Sequence, residues 1–455
     1  MPQISLIKHS AIKLAQRFDA EYFKPEYLYI DNIISSQKFA PLSIISKKID
    51  VGFVGSMVKE YRDSGVQLLQ TKNIDEFQVR FEDKVYINET FHKKLKKSQV
   101  KYWDLLIARS WSFWKTSIYM QDDICNSSDI IIVEANSDAV NPFYLVAFMN
   151  CRFWVGQLIK FASWWLQWHV NLTILEWLKI PLLPEPFQLS IEKIVKSANQ
   201  KQSESKFLYI EAEQILLREL GLLDYRVQNT LTFCTTSQAV KDAGRYDSEY
   251  FQPKYDEIIK QIESYEWWFF NLSDKKYVKI SRWSLISDSF YNFEIGTPYI
   301  RGADFSGGIL WNDKMVYIDR SFIKTNEAQV REGDIIFSLI GSVWETAIVS
   351  NTFDGAYISN NTWKISVENF HHIALQIILQ SVIGKLQFEK EKTQTAQPKI
   401  SNEQVWNFKI PLIKPFIQFQ IAEKIQESYR LKNESRELLE RAKKMVEDEV
   451  EKKYK

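Results

Sequence analysis

Short polar and basic segments of this chain have the composition of surfaces that contact nucleic acid. Residues 109–116 read RSWSFWKT and lie between two apolar segments that predict strands, which indicates a strand-to-strand turn. Arginine can bind guanine through two hydrogen bonds, and serine, threonine and lysine can hold phosphates. Arg109 is the best candidate for a base contact. The full set of candidate DNA contacts is Lys72, Asn73, Lys94, Lys96, Arg109, Ser112, Lys115, Arg301, Ser338 and Ser342.

A run of lysines precedes this turn. It could hold the phosphate backbone or could equally be an ordinary solvated surface, and it comprises Lys93, Lys94, Lys96, Lys97 and Lys101. The charge of the whole chain is balanced, with 58 basic and 57 acidic residues, which excludes a histone-like polybasic protein. Only a local basic surface is therefore expected.

Motifs of catalysis and cofactor binding are absent from the sequence. It contains no G-x-x-x-x-G-K-[ST] phosphate loop, no G-x-G-x-x-G dinucleotide turn and no H-E-x-x-H metal motif. Residues 141–144 read NPFY, which approaches the N-P-P-[YF] motif of amino-methyltransferases but lacks its second proline. This segment better fits a helix start with Asn141 as N-cap and Pro142 in the first turn. His371 and His372 form an isolated pair that favours a surface position over a metal site.

Length and hydropathy bound the architecture. At 455 residues, the chain is long enough for two or three domains. It has no apolar run of about 18 residues, so no membrane span is expected. The N-terminal segment MPQISLIKHS lacks the apolar core of a signal peptide, which predicts a cytoplasmic protein. The three cysteines lie far apart and predict neither a disulfide framework nor a zinc site.

The sequence repeats itself with an offset of 228–230 residues. Residues 11–27 (AIKLAQRFDAEYFKPEY) and 239–255 (AVKDAGRYDSEYFQPKY) are identical at 10 of 17 positions. Residues 178–183 (LKIPLL) likewise match residues 408–413 (FKIPLI). The turn that carries Lys72 and Asn73 has its equivalent at Arg301. A duplicated chain approximates a two-fold dimer within one polypeptide, and it suits a partner with two similar sites.

Each half predicts the same order of elements. It opens with a helix and a shared R-[FY]-D-x-E-Y-F box, in which Arg17 pairs with Asp19 and the aromatic residues pack in the core. The next elements are short apolar strands of a mixed sheet, followed by helices near 142–160 and 370–392. Prolines end each globular part. The aromatic residues expected in the core are Tyr22, Phe23, Tyr250 and Phe251.

Two long segments without proline or glycine follow the proline clusters. Their narrow apolar stripes are typical of coiled-coil helices, and we expect the segments 188–220 and 418–452 to pair antiparallel. The alternative is that each helix packs on its own domain. The predicted fold class is α+β, with two similar mixed α/β domains joined by an antiparallel coiled coil of two long helices and an internal pseudo-two-fold repeat. The predicted boundaries are 1–186 and 223–416 for the domains, and 187–222 and 417–455 for the helices.

The duplicated order of these motifs resembles the DNA specificity subunit of type I restriction-modification systems. The resemblance covers essentially the whole chain. The motifs that carry it are the G-D-[IL]-[IL] strand with its small-residue turn, the Q-x-x-[IV] turn, the K-I-P-L strand and the Q-x-x-I helix start. They occur at Gly333–Ile336, Gly341–Trp344, Gln167–Val170, Gln397–Ile400, Leu178–Leu183, Phe408–Ile413, Gln188–Ile191 and Gln418–Ile421.

The resemblance implies a division of labour between this chain and its partners. Each half would be a target-recognition domain that reads one half-site of a bipartite DNA target, and the long helices would be spacers. The chain would have no catalysis and no cofactor of its own. Two modification subunits would methylate adenine with S-adenosylmethionine, and restriction subunits would use ATP and Mg. Two other classes remain open, namely a stand-alone DNA methyltransferase or nuclease, and a coiled-coil scaffold that does not recognise DNA.

The tryptophans depart from the pattern of this family. The chain has 15 tryptophans and only 14 glycines, and Trp103 and Trp111 stand where the second half has Gly333 and Gly341. A bulky residue cannot take a positive φ as freely as glycine can. Either these turns avoid positive φ, or the natural sequence differs at these positions, or the tryptophans stack on bases.

Overall fold

A computed structural model shows how the two halves fold. It describes residues 6–81, 84–109, 114–162, 172–281, 290–292, 295–312, 315–322, 327–338, 340, 345–393 and 398–452. The chain divides into two compact units. One comprises Met1–Gln202 and Asn433–Lys455, and the other comprises Ser203–Lys432. Because both long helices cross this division, each unit contains a part of both.

The first unit combines helices with three sheets, one of which is a pair of short strands. Its helices are α1 (His9–Ala15), α2 (Pro25–Ser35), α3 (Glu89–Lys94), α4 (Pro142–Phe148), α5 (Arg152–Ala162), α6 (Leu172–Trp177) and the first part of α7 (Glu185–Glu219). Its strands are β1 (Phe39–Pro41), β2 (Ser46–Val51), β3 (Tyr61–Arg62), β4 (Val66–Gln70), β5 (Val85–Ile87), β6 (Gln99–Val100), β7 (Leu105–Ala108), β8 (Thr116–Ile118), β9 (Cys125–Ser128), β10 (Ile130–Ala135) and β11 (Lys179–Pro181).

The four-stranded antiparallel sheet β2-β10-β7-β8 lies between two hydrophobic cores. Strand β7 reads LLIA, and its alternating side chains point to opposite faces. Leu105 and Ile107 pack with the helices, whereas Leu106 and Ala108 pack against the five-stranded sheet β3-β5-β4-β9-β6. Because both faces of β7 are buried, all four of its residues are apolar. Arg109 is the first residue after this buried strand, so the strand sets its position.

The second unit repeats this plan. Its helices are α8 (Ser237–Ala243), α9 (Pro253–Glu263), α10 (His372–Gln380), α11 (Val382–Glu391), α12 (Asn402–Trp406) and the first part of α13 (Pro415–Lys452). Its strands are β12 (Phe269–Asn271), β13 (Val278–Ser281), β14 (Thr297–Ile300), β15 (Phe305–Ser306), β16 (Ile309–Leu310), β17 (Val316–Ile318), β18 (Ile335–Ser338), β19 (Thr346–Ile348), β20 (Tyr357–Ile358), β21 (Thr362–Val367) and β22 (Lys409–Pro411).

The sheet β13-β21-β18-β19 of the second unit has the same strand order as its counterpart in the first. Ile335 and Phe337 face the helices, and Ile336 faces the smaller sheet β17-β14-β20. The sheet that packs against the four-stranded sheet contains one parallel pair in each unit, β4 with β9 in the first and β14 with β20 in the second. The internal repeat and the α+β class predicted from the sequence are thus confirmed.

Buried amides join the same elements in both units. The side chain of Gln157 accepts the N–H of Lys179 at 3.0 Å and donates to its carbonyl at 3.1 Å. Gln387 does the same with Lys409, at 2.8 and 3.1 Å. Each glutamine therefore satisfies both backbone groups of the lysine in the K-I-P-L strand, which a buried strand end requires.

The glutamine of the Q-x-x-I motif has a similar role at the start of each long helix. Gln188 accepts the N–H of Asn141 at 2.8 Å, and Gln418 accepts the N–H of His371 at 2.8 Å. Asn141 is the N-cap of α4, as predicted, and its side chain accepts the N–H groups of Phe143 and Tyr144. His371 caps α10 in the equivalent place.

In the first unit, the two long helices pack against each other antiparallel. Ser435 donates a hydrogen bond to the carbonyl of Ala198 at 2.7 Å, and Lys201 pairs with Glu434 at 2.7 Å. As the residue number rises in α7, the number of its partner in α13 falls. The buried apolar residues that the helices contribute to this core are Ile191, Val195, Ala198, Leu439, Ala442, Val446 and Val450.

In the second unit, the helices pair in the same direction. Ser205 and Ser428 each donate to the carbonyl of the other at 2.8 Å, and Lys424 pairs with Glu211 at 2.9 Å. Ala212 and Leu216 of α7 share a core with Ile421, Ala422 and Ile425 of α13, all of them buried. The antiparallel helix pair predicted from the apolar stripes is confirmed.

The shared box is held by an ion pair in each half. Arg17 contacts Asp19 at 2.6 Å, and Arg245 contacts Asp247 at 2.6 Å, as predicted. Of the four aromatic residues expected in the core, only Phe23 is buried. The prediction was wrong for the other three, which are partly buried. Two of them, the tyrosines, lie under the arginines of the box, with 4.8 and 4.4 Å between guanidinium and ring centroid.

Trp103 occupies a backbone conformation that favours glycine. Its φ is 70°, and Gly333 at the equivalent turn has a φ of 85°. Both residues donate the same hydrogen bond, from Trp103 to Tyr119 at 2.7 Å and from Gly333 to Val349 at 2.9 Å. The interpretation that these turns avoid positive φ is therefore wrong at Trp103. Trp111 and its equivalent Gly341 lie outside the described residues.

Two features are absent from the described part of the chain, namely membrane-spanning helices and clusters of metal-binding side chains. None of its helices has both the length and the apolar composition needed to cross a membrane. Nor do its histidine, cysteine, aspartate and glutamate side chains form any group of three that could hold a metal ion.

Candidate nucleic-acid interface

The first candidate turn is a short 3-10 helix, Thr71–Asn73, at the end of β4. The side-chain oxygen of Asn73 accepts the N–H of Gln70 at 2.8 Å, and its amide group donates to the carbonyl of Arg80 at 2.9 Å. Asn73 is buried, whereas its neighbour Lys72 is exposed. The asparagine therefore closes the turn, and the lysine lies on the surface that the turn presents.

The same turn occurs in the second unit, with aspartate in place of asparagine. The carboxylate of Asp304 accepts the N–H of Arg301 at 2.8 Å. The carbonyl of Asp304 also accepts the N–H of Trp311 at 2.8 Å, just as the carbonyl of Asn73 accepts the N–H of Arg80 at 2.7 Å. These bonds make Asn73 equivalent to Asp304, and Arg80 equivalent to Trp311. The two turns predicted to correspond share one backbone framework.

The structure brings the second candidate turn of the first unit next to this one. Arg109 follows β7 and contacts Asp129 at 3.0 Å, and Lys115 precedes β8 and contacts Asp75 at 2.6 Å. The hydroxyl of Thr71 donates to the carbonyl of Asp129 at 3.0 Å. Two carboxylates thus connect segments that are far apart in the sequence, and the predicted residues Lys72, Arg109 and Lys115 gather in one cluster.

Asp75 is the acidic centre of this cluster. It accepts hydrogen bonds from Lys115 and from Arg80, which lies five residues further along the chain. Burial would raise the pKa of Asp75, but the hydrogen bond from Lys115 and the charge of Arg80 outweigh it and hold this pKa below its usual value. Asp75 is therefore ionised and fixes two cations. Asp75, Asp129 and Arg80 were not among the predicted site residues, although acidic residues beside basic turns are a usable signal.

In the second unit, Arg301 and Ser338 lie close together. Arg301 forms a bidentate ion pair with Asp304, with a closest approach of 2.8 Å. Ser338 ends β18, is buried and donates to the carbonyl of Ile340 at 2.8 Å. A Cβ added at Gly302 would lie 3.0 Å from the Ser338 hydroxyl. The absence of a side chain at Gly302 therefore allows the Arg301 turn to approach β18.

The remaining candidates divide into exposed lysines and two serines. Lys94 ends α3, and Lys96 begins the next 3-10 turn; both are exposed, as are Lys93 and Lys97. Such side chains can follow a phosphate backbone. Ser112 and Ser342 lie outside the described residues. Contact of any of these residues with DNA stays a prediction.

Comparison with known proteins finds a family match in the second half of the chain. Residues 266–441 match the sequence model of the type I restriction modification DNA specificity domain. No curated protein matches the chain.

Three solved structures are similar to the chain. The first, from a study of the assembly and conformational transition of a type I R-M system, shares 15% identity over 91% of this chain and 97% of its own, with a TM-score of 0.31. The HsdS subunit from Thermoanaerobacter tengcongensis shares 15% identity over 90% and 95%, with a TM-score of 0.29. The S subunit from M. genitalium shares 10% identity over 90% and 94%, with a TM-score of 0.43.

The matched segment covers the sheet β13-β21-β18-β19 of the second unit and continues into α13. The first unit repeats its strand order, its amide contacts and its turn hydrogen bonds. The match therefore confirms what the motifs predicted for this part of the chain: residues 266–441 are similar to the type I restriction modification DNA specificity domain.

Proposed function

We propose that this chain is the DNA-recognition subunit of a type I restriction-modification complex and that each unit reads one half of a bipartite target. The observation that carries the proposal is that the two units share the backbone hydrogen bonds of the first turn but differ in the side chains that the turn exposes. Asn73 and Asp304 accept the same two backbone N–H hydrogen bonds, but the side chains that these turns present differ. Two readers of different half-sites need this combination, because a common scaffold places different donors against the bases.

The two boxes support binding of one methyltransferase subunit per half. Residues 17–27 and 245–255 are identical at 7 of 11 positions, and their ion pairs and cation–π contacts have similar geometry. Equivalent surfaces suit two copies of one partner. The expected partners are double-stranded DNA, two modification subunits and, through the complex, restriction subunits. A saturated complex should contain two methyltransferases per chain, and a native mass with only one would contradict this stoichiometry.

The chain itself is proposed to be non-catalytic and cytoplasmic. Chemistry would belong to the partners, with S-adenosylmethionine in the modification subunits and ATP with Mg in the restriction subunits. The sequence lacks a phosphate loop and the zinc motifs of base-modifying enzymes, which supports this division. Methyl transfer to DNA by the purified chain without partners would favour the alternative of a stand-alone enzyme.

Methylome sequencing of a host with and without the gene tests the proposal directly. We expect methylated adenines in a single bipartite motif that disappears when the gene is deleted and returns with a plasmid copy. Exchange of residues 1–185 for the equivalent part of another family member should change one half-site only. An unchanged methylome, or a change in both half-sites, would contradict modular recognition. DNA binding without sequence preference in the presence of the methyltransferase would favour the scaffold alternative.

A further inference from the structure

Arg80 is more exposed than the other two arginine and lysine side chains that pair with carboxylates in the cluster around the first turn, Arg109 and Lys115. Its side chain is 58% exposed, compared with 27% for Lys115 and 28% for Arg109. Its backbone N–H is bound to the carbonyl of Asn73, so the shared framework of the turn sets its position. An exposed arginine on a fixed backbone can reach a ligand without rearrangement of the fold.

Asp75 also fixes the guanidinium group of Arg80. The Nε of Arg80 donates to the carboxylate at 2.7 Å, and Nη2 donates to the same oxygen. Within the described residues, Nη1 of Arg80 makes no hydrogen bond. A carboxylate that holds the Nε edge leaves the Nη1 and Nη2 donors for a second acceptor pair. The acceptor pair that suits this fork in DNA is O6 and N7 of guanine in the major groove.

Asp75 is itself held by the turn that contains Lys115. Ser117 of β8 donates to the backbone carbonyl of Asp75 at 2.8 Å, and the N–H of Asp75 donates to the Ser117 hydroxyl at 3.2 Å. Asp75 also takes the Lys115 ammonium on its other oxygen. Ser117 thus holds the backbone of Asp75 and Lys115 holds its carboxylate, which is the condition for Asp75 to orient an arginine instead of following it.

We propose that Arg80 determines specificity for a guanine in the first half-site and that Asp75 is its positioning residue. The inference rests on the proposed function and adds which residue, Arg80, reads which base, a guanine. Arg80 reads through its guanidinium fork, and Asp75 sets the plane of that fork. Arg109, which pairs with a different carboxylate, is a separate candidate contact in the same unit.

The equivalent position in the second unit has a different chemistry. Trp311 occupies the place of Arg80, and its ring nitrogen donates to the hydroxyl of Ser306 at 3.1 Å. Indole is a donor only and cannot form the arginine fork. The second unit therefore cannot read guanine from this position in the same way, which fits two half-sites of different sequence.

The test is the base preference of the complete methyltransferase complex on DNA libraries in which each half-site is randomised. Arg80→Ala should lower the preference at one guanine of the first half-site by about 5- to 150-fold. Arg80→Lys should lose the same preference, since lysine keeps the charge but not the fork. Asp75→Asn should weaken that preference, and all three variants should keep the second half-site.

Arg152→Ala is the matched control. Arg152 is 53% exposed and pairs with Glu447 and Glu451 in the same unit, but it lies at the start of α5, away from the turn. Its loss should leave both half-sites unchanged. Retention of the second half-site by the Arg80 variants reports that the complex is assembled. Retention of the other base preferences of the first half-site reports that the first unit is folded.

Two outcomes would overturn the inference while leaving the proposed function intact. One is an Arg80→Ala complex that keeps every preference of the first half-site. The other is equal weakening on all sequences, which would make Arg80 a phosphate contact. A wild-type complex without any bipartite preference would instead contradict the proposed function.

Discussion

Replacement of Asp104 by asparagine should stabilise the first unit at neutral pH. Asp104 is 4% exposed, and its carboxylate accepts the N–H of Lys101 at 2.7 Å. Burial raises the pKa of this carboxyl to about 6, against the opposing effect of the Lys101 hydrogen bond. The folded state therefore disfavours the charged form that predominates above this pH.

The magnitude follows from the two pKa values. Between 3.8 in the unfolded chain and about 6 in the fold, linkage gives a cost of about 3 kcal/mol at pH 7.5 and about 1.5 kcal/mol at pH 5. Because the folded pKa is the raised one, the stability is fully present at low pH and is lost as the pH rises through 6. Asparagine keeps an acceptor for Lys101 and carries no charge, so the variant should not show this loss.

The second unit supplies the control for this prediction. Asp334 accepts the N–H of Arg331 at 2.8 Å in the equivalent turn, but Lys364 lies 3.7 Å from its carboxylate. In the second unit, Lys364 pairs with Ile336 of β18. At the equivalent place in the first unit, Ile132 pairs with Leu106 of β7, so no lysine is present there. Asp334→Asn should therefore destabilise its unit, because it leaves a buried ammonium without its counter-charge.

Hydrogen–deuterium exchange can measure the stability of each unit separately in either variant. The amides of β7 report on the first unit, and those of β18 report on the second. The Asp104→Asn variant should slow exchange in β7 by more at pH 7.5 than at pH 5. A gain of equal size at both pH values would refute the titration argument, and faster exchange in β7 would refute the argument from burial.

Three further predictions concern the turns and the lysine run. Trp103→Gly should be more stable than Trp103→Ala by about 1–2 kcal/mol in urea unfolding, because both lack the indole but only glycine takes φ of 70° without strain; a more stable alanine variant would contradict this. Arg109→Ala should cost about 1–3 kcal/mol in binding to the first half-site and leave the second half's preference intact, measured by competition gel shift. Replacing Lys94 and Lys96 by alanine should weaken binding to all sequences and reduce the slope of log K against log salt by about 1 for each phosphate that is no longer neutralised, whereas an unchanged slope would mean a merely solvated surface.

Much of the fold could be predicted because its signals are local and occur twice. The strands at Leu105–Ala108 and Ile335–Ser338 lie within their predicted apolar segments, since both faces of each strand are buried. The long helices begin at Glu185 and Pro415, three residues before the predicted starts. Proline is tolerated in the first helical turn, where its missing N–H would have no intrahelical partner, so the proline clusters did not mark the boundary.

The site could be predicted only in part because its contacts join distant segments. The sequence identifies Arg109 and Lys115 by their place between two strands, but the pair of Lys115 with Asp75 spans 40 residues and depends on the tertiary fold. Asn73 was predicted as a DNA contact because of its residue type. In the structure its amide closes the turn, a use of asparagine that composition cannot distinguish from base reading.

The left-handed conformation at Trp103 has a consequence for the gene. The tryptophan codon TGG becomes a glycine codon by a single change of its first base, so the residue that this backbone favours is one mutation away. Destabilised variants of the first unit should regain activity through this change more often than chance predicts. Selection for such suppressors would reveal whether the strain at residue 103 limits the amount of folded protein in the cell.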